Sequence, residues 1–158
     1  MVSAMAHLYN EIEIMLERVF TKILAADRRG LKVNGKNEKF SFVDIMILRM
    51  LGLKNGISIY DLIYELDVDR GIVSTSISKL TKGRYIEKKR SPQDGRVFIL
   101  NLTAEGKLLF EKLHEEENAL VGFIMESSTI NEQKAVLKFL SRVNQTMVGK
   151  YDIDHSKD

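Results

Sequence analysis

The sequence contains no cysteine, only one proline and only ten glycines. Without cysteine the chain has no disulfide bond, thiolate metal site, cysteine nucleophile or thiol-based redox sensor. The low proline and glycine content argues against a loop-rich all-β fold and against a disordered chain. The longest apolar run, residues 119–125, is far shorter than the roughly 20 residues that a membrane-spanning helix needs. Because Glu11, Glu13 and Glu17 interrupt the N-terminal segment, we expect neither a secretory signal nor a transit peptide.

Neither sign of charge dominates the chain. There are 24 lysines and arginines against 22 acidic residues, so the net charge is only +2. The total charge therefore indicates no class of partner, and a site for a polyanion must come from local clustering. A chain of 158 residues suits one domain or one tightly merged pair of subdomains. These features predict a soluble, cytoplasmic and mostly helical protein.

The N-terminal segment has the apolar spacing of a long helix. Residues 5–29 carry one apolar stripe with spacings of three and four, which is close to a coiled-coil seam. This spacing alone leaves open whether the stripe packs inside its own domain or against a partner chain. Residues 30–39, rich in glycine, asparagine and charge, indicate a solvated connection. The stripe consists of Leu8, Ile12, Met15, Val19 and Ile23.

Polar capping residues predict where the later helices begin. A serine, threonine or aspartate side chain accepts hydrogen bonds from the free N–H groups of a first helical turn, and an acid three positions later strengthens the cap. The predicted caps are Ser41 with Asp44, Ser58 with Asp61, Asp69, Thr103, and Thr129 with Glu132. These helices are predicted to end near Gly52, Leu66, Lys82 and Glu126, with turns at Asn55-Gly56 and Asp67-Val68-Asp69. The last helix has an apolar stripe of Val136, Leu140, Val143 and Met147, followed by a polar tail over 152–158.

A hairpin is predicted between the helix that begins at Arg70 and the helix that Thr103 caps. Residues 85–90 partly alternate, residues 91–95 form a turn cluster, and residues 96–102 are β-branched and apolar. The order of short helix, tight turn, helix and hairpin over 58–102 predicts a winged helix-turn-helix. In its second helix Val73, Ile77 and Leu80 form the buried face. The opposite face carries Arg70, Gly71, Ser74, Thr75, Ser78 and Lys79.

The region around the hairpin has a larger net positive charge than the whole chain. Between residues 79 and 96 there are seven basic and two acidic residues, a net charge of +5, so the rest of the chain is net negative. Such asymmetry is typical of a surface that binds phosphates, although a solvated charged hairpin is the alternative. Small hydroxyl side chains on the helix beside it allow entry into a major groove roughly 12 Å wide. The basic residues are Lys79, Lys82, Arg84, Lys88, Lys89, Arg90 and Arg96, and the acids are Glu87 and Asp94.

Two segments resemble MarR-type transcriptional regulators. Residues 67–80 are similar to the recognition helix of that family, and residues 93–106 resemble its wing signature, D-x-R followed by L-x-L-T-x-x-G. The resemblance covers nearly the whole chain and implies that the terminal helices form a homodimer, that two recognition helices enter successive major grooves, and that the wing arginine, Arg96, reaches into a minor groove. It also implies a repressor released by a small-molecule effector. Gly95 and Thr75 depart from residues that are often basic in the family. The long basic connection at 30–39 is somewhat like that of the staphylococcal accessory regulators, a subgroup to which the prediction does not assign the chain.

We therefore predict a mainly α (α+β) protein with a winged helix-turn-helix core and long N- and C-terminal dimerisation helices. Residues 1–40 and 127–158 form the predicted helical dimerisation region, and residues 41–126 form the DNA-binding domain with a long connecting helix. The predicted partner is double-stranded DNA with a pseudo-palindromic operator. The predicted DNA-binding residues are Arg70, Ser74, Thr75, Ser78, Lys79, Lys82, Arg84, Lys88, Lys89, Arg90, Asp94 and Arg96.

The sequence offers little support for other chemistry. His7, His114 and His155 lack paired ligand spacing, and the glutamates at 111 and 115–117 indicate a solvated acidic face. No phosphate-binding glycine loop or nucleophile motif occurs, so we expect no enzyme, no bound metal and no cofactor. Aromatic side chains are candidates either for the core or for an effector cavity: Phe20, Phe40, Phe42, Tyr60 and Tyr64.

The alternative from another class is a winged-helix module for protein–protein interaction. The +5 cluster and the hydroxyl-rich helix face argue against it. Salt-dependent binding to a DNA duplex distinguishes the two hypotheses, because release of counterions from phosphates makes true DNA binding fall steeply with salt.

Overall fold

The computed structural model describes residues 2–33, 38–54 and 56–145, with side chains from residue 5 onward. Its contacts divide the chain into two compact units, Met1–Glu115 and Glu116–Asp158. The helices are α1 Val2–Arg29, α2 Phe42–Leu53, α3 Ile59–Leu66, α4 Arg70–Lys82, α5 Ala104–Met125 and α6 Ile130–Gln145. The strands are β1 Leu31–Lys32, β2 Lys39–Phe40, β3 Ile57–Ser58, β4 Ile86–Arg90 and β5 Phe98–Leu102. The predictions for Asn34, Gly35, Asn37, Asn55, Met147, His155 and the tail 152–158 lie outside the described residues.

The predicted caps set the beginnings of the helices. The Ser41 hydroxyl accepts from the Asp44 N–H at 3.1 Å, and the Asp44 carboxylate accepts from the Ser41 N–H at 2.7 Å. The Ser58 hydroxyl accepts from the N–H of Asp61, and the Asp69 carboxylate accepts from the N–H of Gly71. Each bond satisfies an N–H group that has no partner within its own helix. Thr129 and Glu132 form the predicted capping box of α6.

The wing sheet has one strand more than predicted. Its order is β3-β5-β4, all antiparallel, with Ile57 opposite Leu100 and Lys88 opposite the other side of Leu100. The strand β3 is two residues long, too short to show the alternation by which a strand is recognised in a sequence.

The prediction of a solvated connection over residues 30–39 is wrong at its ends. Leu31–Lys32 and Lys39–Phe40 pair as a short antiparallel ribbon, and both Val33 and Phe40 are buried in the core. The glycine and asparagine residues between Val33 and Phe40 are typical of a loop, so the burial of these two apolar residues was not predicted. We call the paired strands, with the described residues 31–33 and 38–40, the β1–β2 hairpin.

The core of the first unit lies between α2, α3, α4 and the wing sheet. It contains fully buried side chains from each of these elements, Leu48, Leu62, Val73, Leu80 and Leu100. The beginning of α5 closes one side, where a Cβ on Gly106 would lie 2.0 Å from the carbonyl oxygen of Tyr85. The backbones are in direct contact there, so α5 is held against the junction of α4 and β4.

Two helices, α1 and α6, have no buried side chain among the described residues. Both carry the predicted apolar stripes, which are exposed in the single chain. Among the described residues, no helix is long and apolar enough to cross a membrane.

Candidate nucleic-acid interface

Helix α4 exposes a small polar face and buries the face behind it. Val73 and Leu80 are 0% exposed, whereas Ser74, Thr75 and Ser78 are exposed. The Thr75 hydroxyl donates to the carbonyl oxygen of Gly71 at 2.9 Å, which restricts the orientation of this side chain. A helix with this face can approach the edges of base pairs without a steric barrier. We call α4 the recognition helix.

The recognition helix ends in a Schellman motif with an arginine at its left-handed position. The N–H of Tyr85 donates to the Leu80 carbonyl and the N–H of Arg84 donates to the Thr81 carbonyl, both at 3.0 Å. Arg84 has a φ of 62°, where glycine is the usual residue. The Thr103 hydroxyl donates to the carbonyl oxygen of Arg84 at 2.6 Å and holds the peptide in place. The exposed Arg84 side chain therefore leaves the junction between helix and wing in a fixed direction.

Lys79 has protein partners that sequence reasoning missed. Its ammonium group donates to the carboxylate of Asp44 and, at 2.6 Å, to the carbonyl oxygen of Lys39. It also lies 5.4 Å from the centre of the Phe40 ring. The predicted polar face of α4 includes Lys79, but the ammonium group is bound to the body of the domain.

The wing consists of β4, β5 and the connection between them. Three of its cations have contacts within the wing. The Lys88 ammonium lies 4.2 Å from the centre of the exposed Phe98 ring, and Lys89 forms an ion pair with Glu87 at 2.5 Å. Arg90 donates to the carbonyl oxygen of Gly95 at 3.0 Å, so its guanidinium braces the tip of the wing.

At the tip of the wing, Asp94 bonds to the backbone of Arg96 and not to its side chain. The Asp94 carboxylate accepts from the backbone N–H of Arg96 at 2.9 Å. The Ser91 N–H donates to the Val97 carbonyl at 2.8 Å and closes the turn. Asp94 therefore orders the backbone at the tip, and the guanidinium of Arg96 is left to solvent. The short loop favours the nearer backbone donor over the long arginine side chain.

Several predicted cations are without a partner in the part of the chain that the structure describes. Arg70, Lys82 and Arg96 are exposed, and their side chains make no hydrogen bond or ion pair with described residues. They lie at the start of the recognition helix, at its end and on the wing. Their charges are therefore available to phosphates at both ends of the recognition helix and on the wing.

Tyr85 links the end of the recognition helix to the β1–β2 hairpin. Its hydroxyl donates to the carboxylate of Glu38, and its ring meets that of Phe40 edge to face, with centroids 5.6 Å apart. Burial, together with the Glu38 carboxylate, raises the pKa of Tyr85 to about 12. Sequence reasoning missed this contact because the two residues are 47 positions apart.

The candidate aromatic residues do not line one cavity. Phe40 is buried, Phe42 is half-buried and Phe20 is exposed on α1. Tyr60 and Tyr64 are 77% and 78% exposed on α3, and the sequence held the signal for this: they lie four apart, on the face opposite the apolar residues of α3. Tyr60 lines an open groove of about 770 Å³ between α3 and the wing, which also includes Ile63, Arg70 and Phe98. No group of three potential metal ligands occurs among the described residues.

Comparison with protein families gives a match at this part of the chain. The model of the family described as Transcriptional regulator SarA/Rot matches residues 31–113, just over half of the 158 residues. This range runs from β1 into α5 and includes every residue predicted to bind DNA. The HTH-type transcriptional regulator BilQ of Clostridium symbiosum is 30% identical over 96 residues, 61% of this chain and 67% of BilQ.

Solved structures of similar fold include a complex with DNA. Streptococcus pneumoniae FabT, crystallised in complex with DNA, has a TM-score of 0.74 and 27% identity, covering 87% of this chain and 95% of FabT. Lactococcus lactis ZitR, a zinc-responsive MarR family member, has a TM-score of 0.63 and 22% identity, covering 87% of this chain and 97% of ZitR. The likeness to ZitR is one of fold alone. The predicted winged-helix architecture is thus confirmed.

Proposed function

Because the chain belongs to the transcriptional regulator SarA/Rot family, we propose that it is a homodimeric repressor that binds a pseudo-palindromic operator. It is a DNA-binding regulator of transcription; the dimer, the operator symmetry and the sign of regulation are the proposed parts. The resemblance to MarR-type regulators is confirmed. The family match is also more specific than the prediction, which did not assign the chain to the staphylococcal accessory regulators. The family comprises regulators of transcription, and we propose no enzymatic activity, a cytoplasmic location and control by a small-molecule effector.

The observation that carries the proposal is the face of the recognition helix. Ser74, Thr75 and Ser78 are exposed on a helix whose opposite side is fully buried, and exposed cations lie at both of its ends. Short hydroxyl side chains can bond to base edges in a major groove, whereas lysine and arginine neutralise phosphates. We propose that the helix face selects the sequence and that the surrounding cations supply affinity for any duplex.

The exposed apolar stripes support the homodimer. On α1, Met15 and Val19 are about half exposed, as is Leu140 on α6. An amphipathic helix of a soluble protein normally buries its apolar stripe, and an exposed stripe marks an interface. We propose that these helices pack against a second copy around a two-fold axis, which would place two recognition helices about 34 Å apart, one turn of duplex.

Binding to DNA selected from genomic fragments tests the proposal. We expect Ser74→Glu or Thr75→Glu to abolish specific binding, because each places a carboxylate next to the bases. Both positions are exposed, so the free energy of unfolding should change by less than about 0.5 kcal/mol. Lys88→Gln should instead weaken binding to every duplex alike and lower the slope of log affinity against log salt by about one.

The same assay distinguishes the proposed function from the alternative. A protein whose affinity for duplexes is independent of salt would be a protein-interaction module. Equal loss of sequence preference in the serine and lysine variants would contradict the division between helix face and wing.

A further inference from the structure

A buried carboxylate connects α2 to the recognition helix. Asp44 is only 1% exposed, and one of its oxygens, Oδ2, accepts hydrogen bonds from the Ser41 N–H and from the Lys79 ammonium. Its other oxygen, Oδ1, is buried without a hydrogen-bond partner among the described residues. A buried carboxylate is strongly destabilising unless a cation reaches it. The position of Lys79 relative to α2 is therefore closely restricted.

The ammonium of Lys79 is held from three directions. Besides Asp44 it bonds to the carbonyl oxygen of Lys39 and lies over the Phe40 ring, and both of these belong to β2. The Lys79 side chain is still 46% exposed, since it reaches across the rim of the core. A lysine on a recognition helix is ordinarily assigned to a phosphate, but the ammonium group of this one already donates two hydrogen bonds to protein oxygens.

We propose that Asp44 and Lys79 form a clamp that fixes how the recognition helix is rotated about its axis, and that Asp44 is thus a positioning residue for sequence recognition. This inference rests on the proposed function of α4. Apolar packing of Val73 and Leu80 holds the helix in place but is not directional. An ion pair with a fixed backbone acceptor is directional. A rotation of roughly 20° would move a side-chain tip about 2 Å at the outer radius of a helix, enough to break a hydrogen bond to a base.

The variants Lys79→Met, Asp44→Asn and the double variant test the clamp on the full chain. Each is measured with the selected duplex and with a scrambled duplex, over a range of salt, at a temperature where unfolding shows every variant to be folded. We expect either single variant to lower affinity for the selected duplex about ten-fold and to leave the scrambled duplex nearly unaffected. The double variant should bind the selected duplex with no lower affinity than Lys79→Met does, because the two residues act as one unit.

Lys82→Met is the matched control, since Lys82 lies on the same helix, is exposed and has no partner among the described residues. It should weaken binding to both duplexes equally and lower the salt slope by about 0.9, whereas Lys79→Met should leave the slope unchanged.

Two outcomes would overturn the clamp. If Lys79→Met behaves like Lys82→Met while Asp44→Asn binds DNA as the parent does, Lys79 is an ordinary phosphate contact. If both variants lose stability but keep the full preference for the selected duplex, the pair serves the fold alone. Should Asp44→Asn fail to fold, Lys79→Met and Lys79→Gln still give the answer. A parent protein that binds no duplex would contradict the proposed function itself, which is a separate result.

Discussion

Arg84 is held in a conformation that an arginine rarely adopts. A left-handed φ at a residue with a Cβ costs roughly 1 kcal/mol, and the last turn of the recognition helix requires it at this position. Strained residues of this kind concentrate where a side chain has a function. We infer that the strain is tolerated because the guanidinium is needed beside the duplex.

Arg84→Gly separates the conformation from the charge. We expect the free energy of unfolding to rise by roughly 1 kcal/mol, since glycine adopts this φ without strain. Affinity for all duplexes should fall, with a salt slope lower by about 0.9. Chemical denaturation and anisotropy titration measure the two effects.

Arg84→Asn is the control, because asparagine tolerates the left-handed region and lacks the charge. It should lose the same DNA affinity as Arg84→Gly with a smaller gain in stability. A loss of stability in Arg84→Gly would mean that the guanidinium supports the fold instead.

Arg96 has the opposite character, a charge without a structural task. Its side chain makes no hydrogen bond or ion pair with described residues, and Asp94 orders only its backbone. We expect Arg96→Ala to leave the melting temperature nearly unchanged and to lower operator affinity about ten-fold or more, because the narrow minor groove of A·T tracts attracts an inserted arginine. Asp94→Ala should have a weaker effect of the same sign, through a less ordered tip.

Arg96→Lys is the useful comparison at this position. It keeps the charge and loses the planar donor group, so parent-like affinity would indicate that the charge alone is needed, whereas partial recovery would indicate that the planar group contributes as well. Parent-like affinity in Arg96→Ala at moderate salt would contradict the minor-groove role, and a large drop in melting temperature would indicate a structural arginine.

Long-range contacts hold the β1–β2 hairpin to the rest of the domain. It is held to the recognition helix and β4 by the Lys79–Lys39 bond, the Phe40–Tyr85 ring contact and the Tyr85–Glu38 bond. In the folded protein the pKa of Tyr85 rises from 10.0 to about 12, so folding favours the neutral phenol. The stability that the neutral phenol contributes to the folded protein is fully present below pH 10, and it is lost as the pH rises from 10 to 12.

Tyr85→Phe measures that contribution. At pH 8 the variant should be less stable than the parent by about 1 kcal/mol, the usual worth of one hydrogen bond. The difference in unfolding free energy should shrink between pH 10 and pH 12, where the parent loses its phenol proton. Denaturant unfolding at a series of pH values checks this prediction. If the difference in unfolding free energy between parent and variant stays constant across the range, ionisation of the phenol is not coupled to folding.

Local signals explain what could be predicted at the scale of elements. The caps at Ser41, Ser58 and Asp69 depend on a few neighbouring residues, so the starts of α2, α3 and α4 follow from the sequence. The strand β5 was predicted from residue 96 but begins at Phe98, because the turn at the tip extends two residues further.

Non-local pairs explain what could not be predicted. Asp44 and Lys79 are 35 residues apart, and nothing near either residue distinguishes the pair from a cap and a phosphate contact. Ser76 is of the same residue type as the exposed serines but is buried, because it lies three positions after Val73 and four before Leu80 and so shares their face of the helix. The DNA-binding residues followed from pattern and charge and remain a prediction.

At the scale of the whole molecule, the exposed apolar stripes are the largest feature that a single chain leaves unexplained. The predicted division into residues 1–40 with 127–158 and residues 41–126 assumes that these stripes meet in a dimer. We expect sedimentation to give a dimer at micromolar concentration. A monomer that binds the operator normally would contradict this.

Val19→Glu tests the interface directly. It places a charge in the middle of the α1 stripe, so it should dissociate the dimer and weaken operator binding more than ten-fold, because each half-site is then bound alone. Thr21→Glu adds the same carboxylate to the opposite, exposed face of α1 and should change neither property. Equal effects from both variants would show that added charge, and not the stripe, is responsible.

The groove beside Tyr60 has a consequence for fluorescence measurements. The chain contains no tryptophan, so a Tyr60→Trp variant would carry a single indole between α3 and the wing. Since the Tyr60 side chain is 77% exposed, the larger ring is accommodated without disturbing the core. Because Arg70 and Lys88, which are predicted to bind DNA, also line this groove, we expect a duplex to displace water from it. The emission of the indole would then move to shorter wavelength, and the protein would report its own DNA binding without an attached dye.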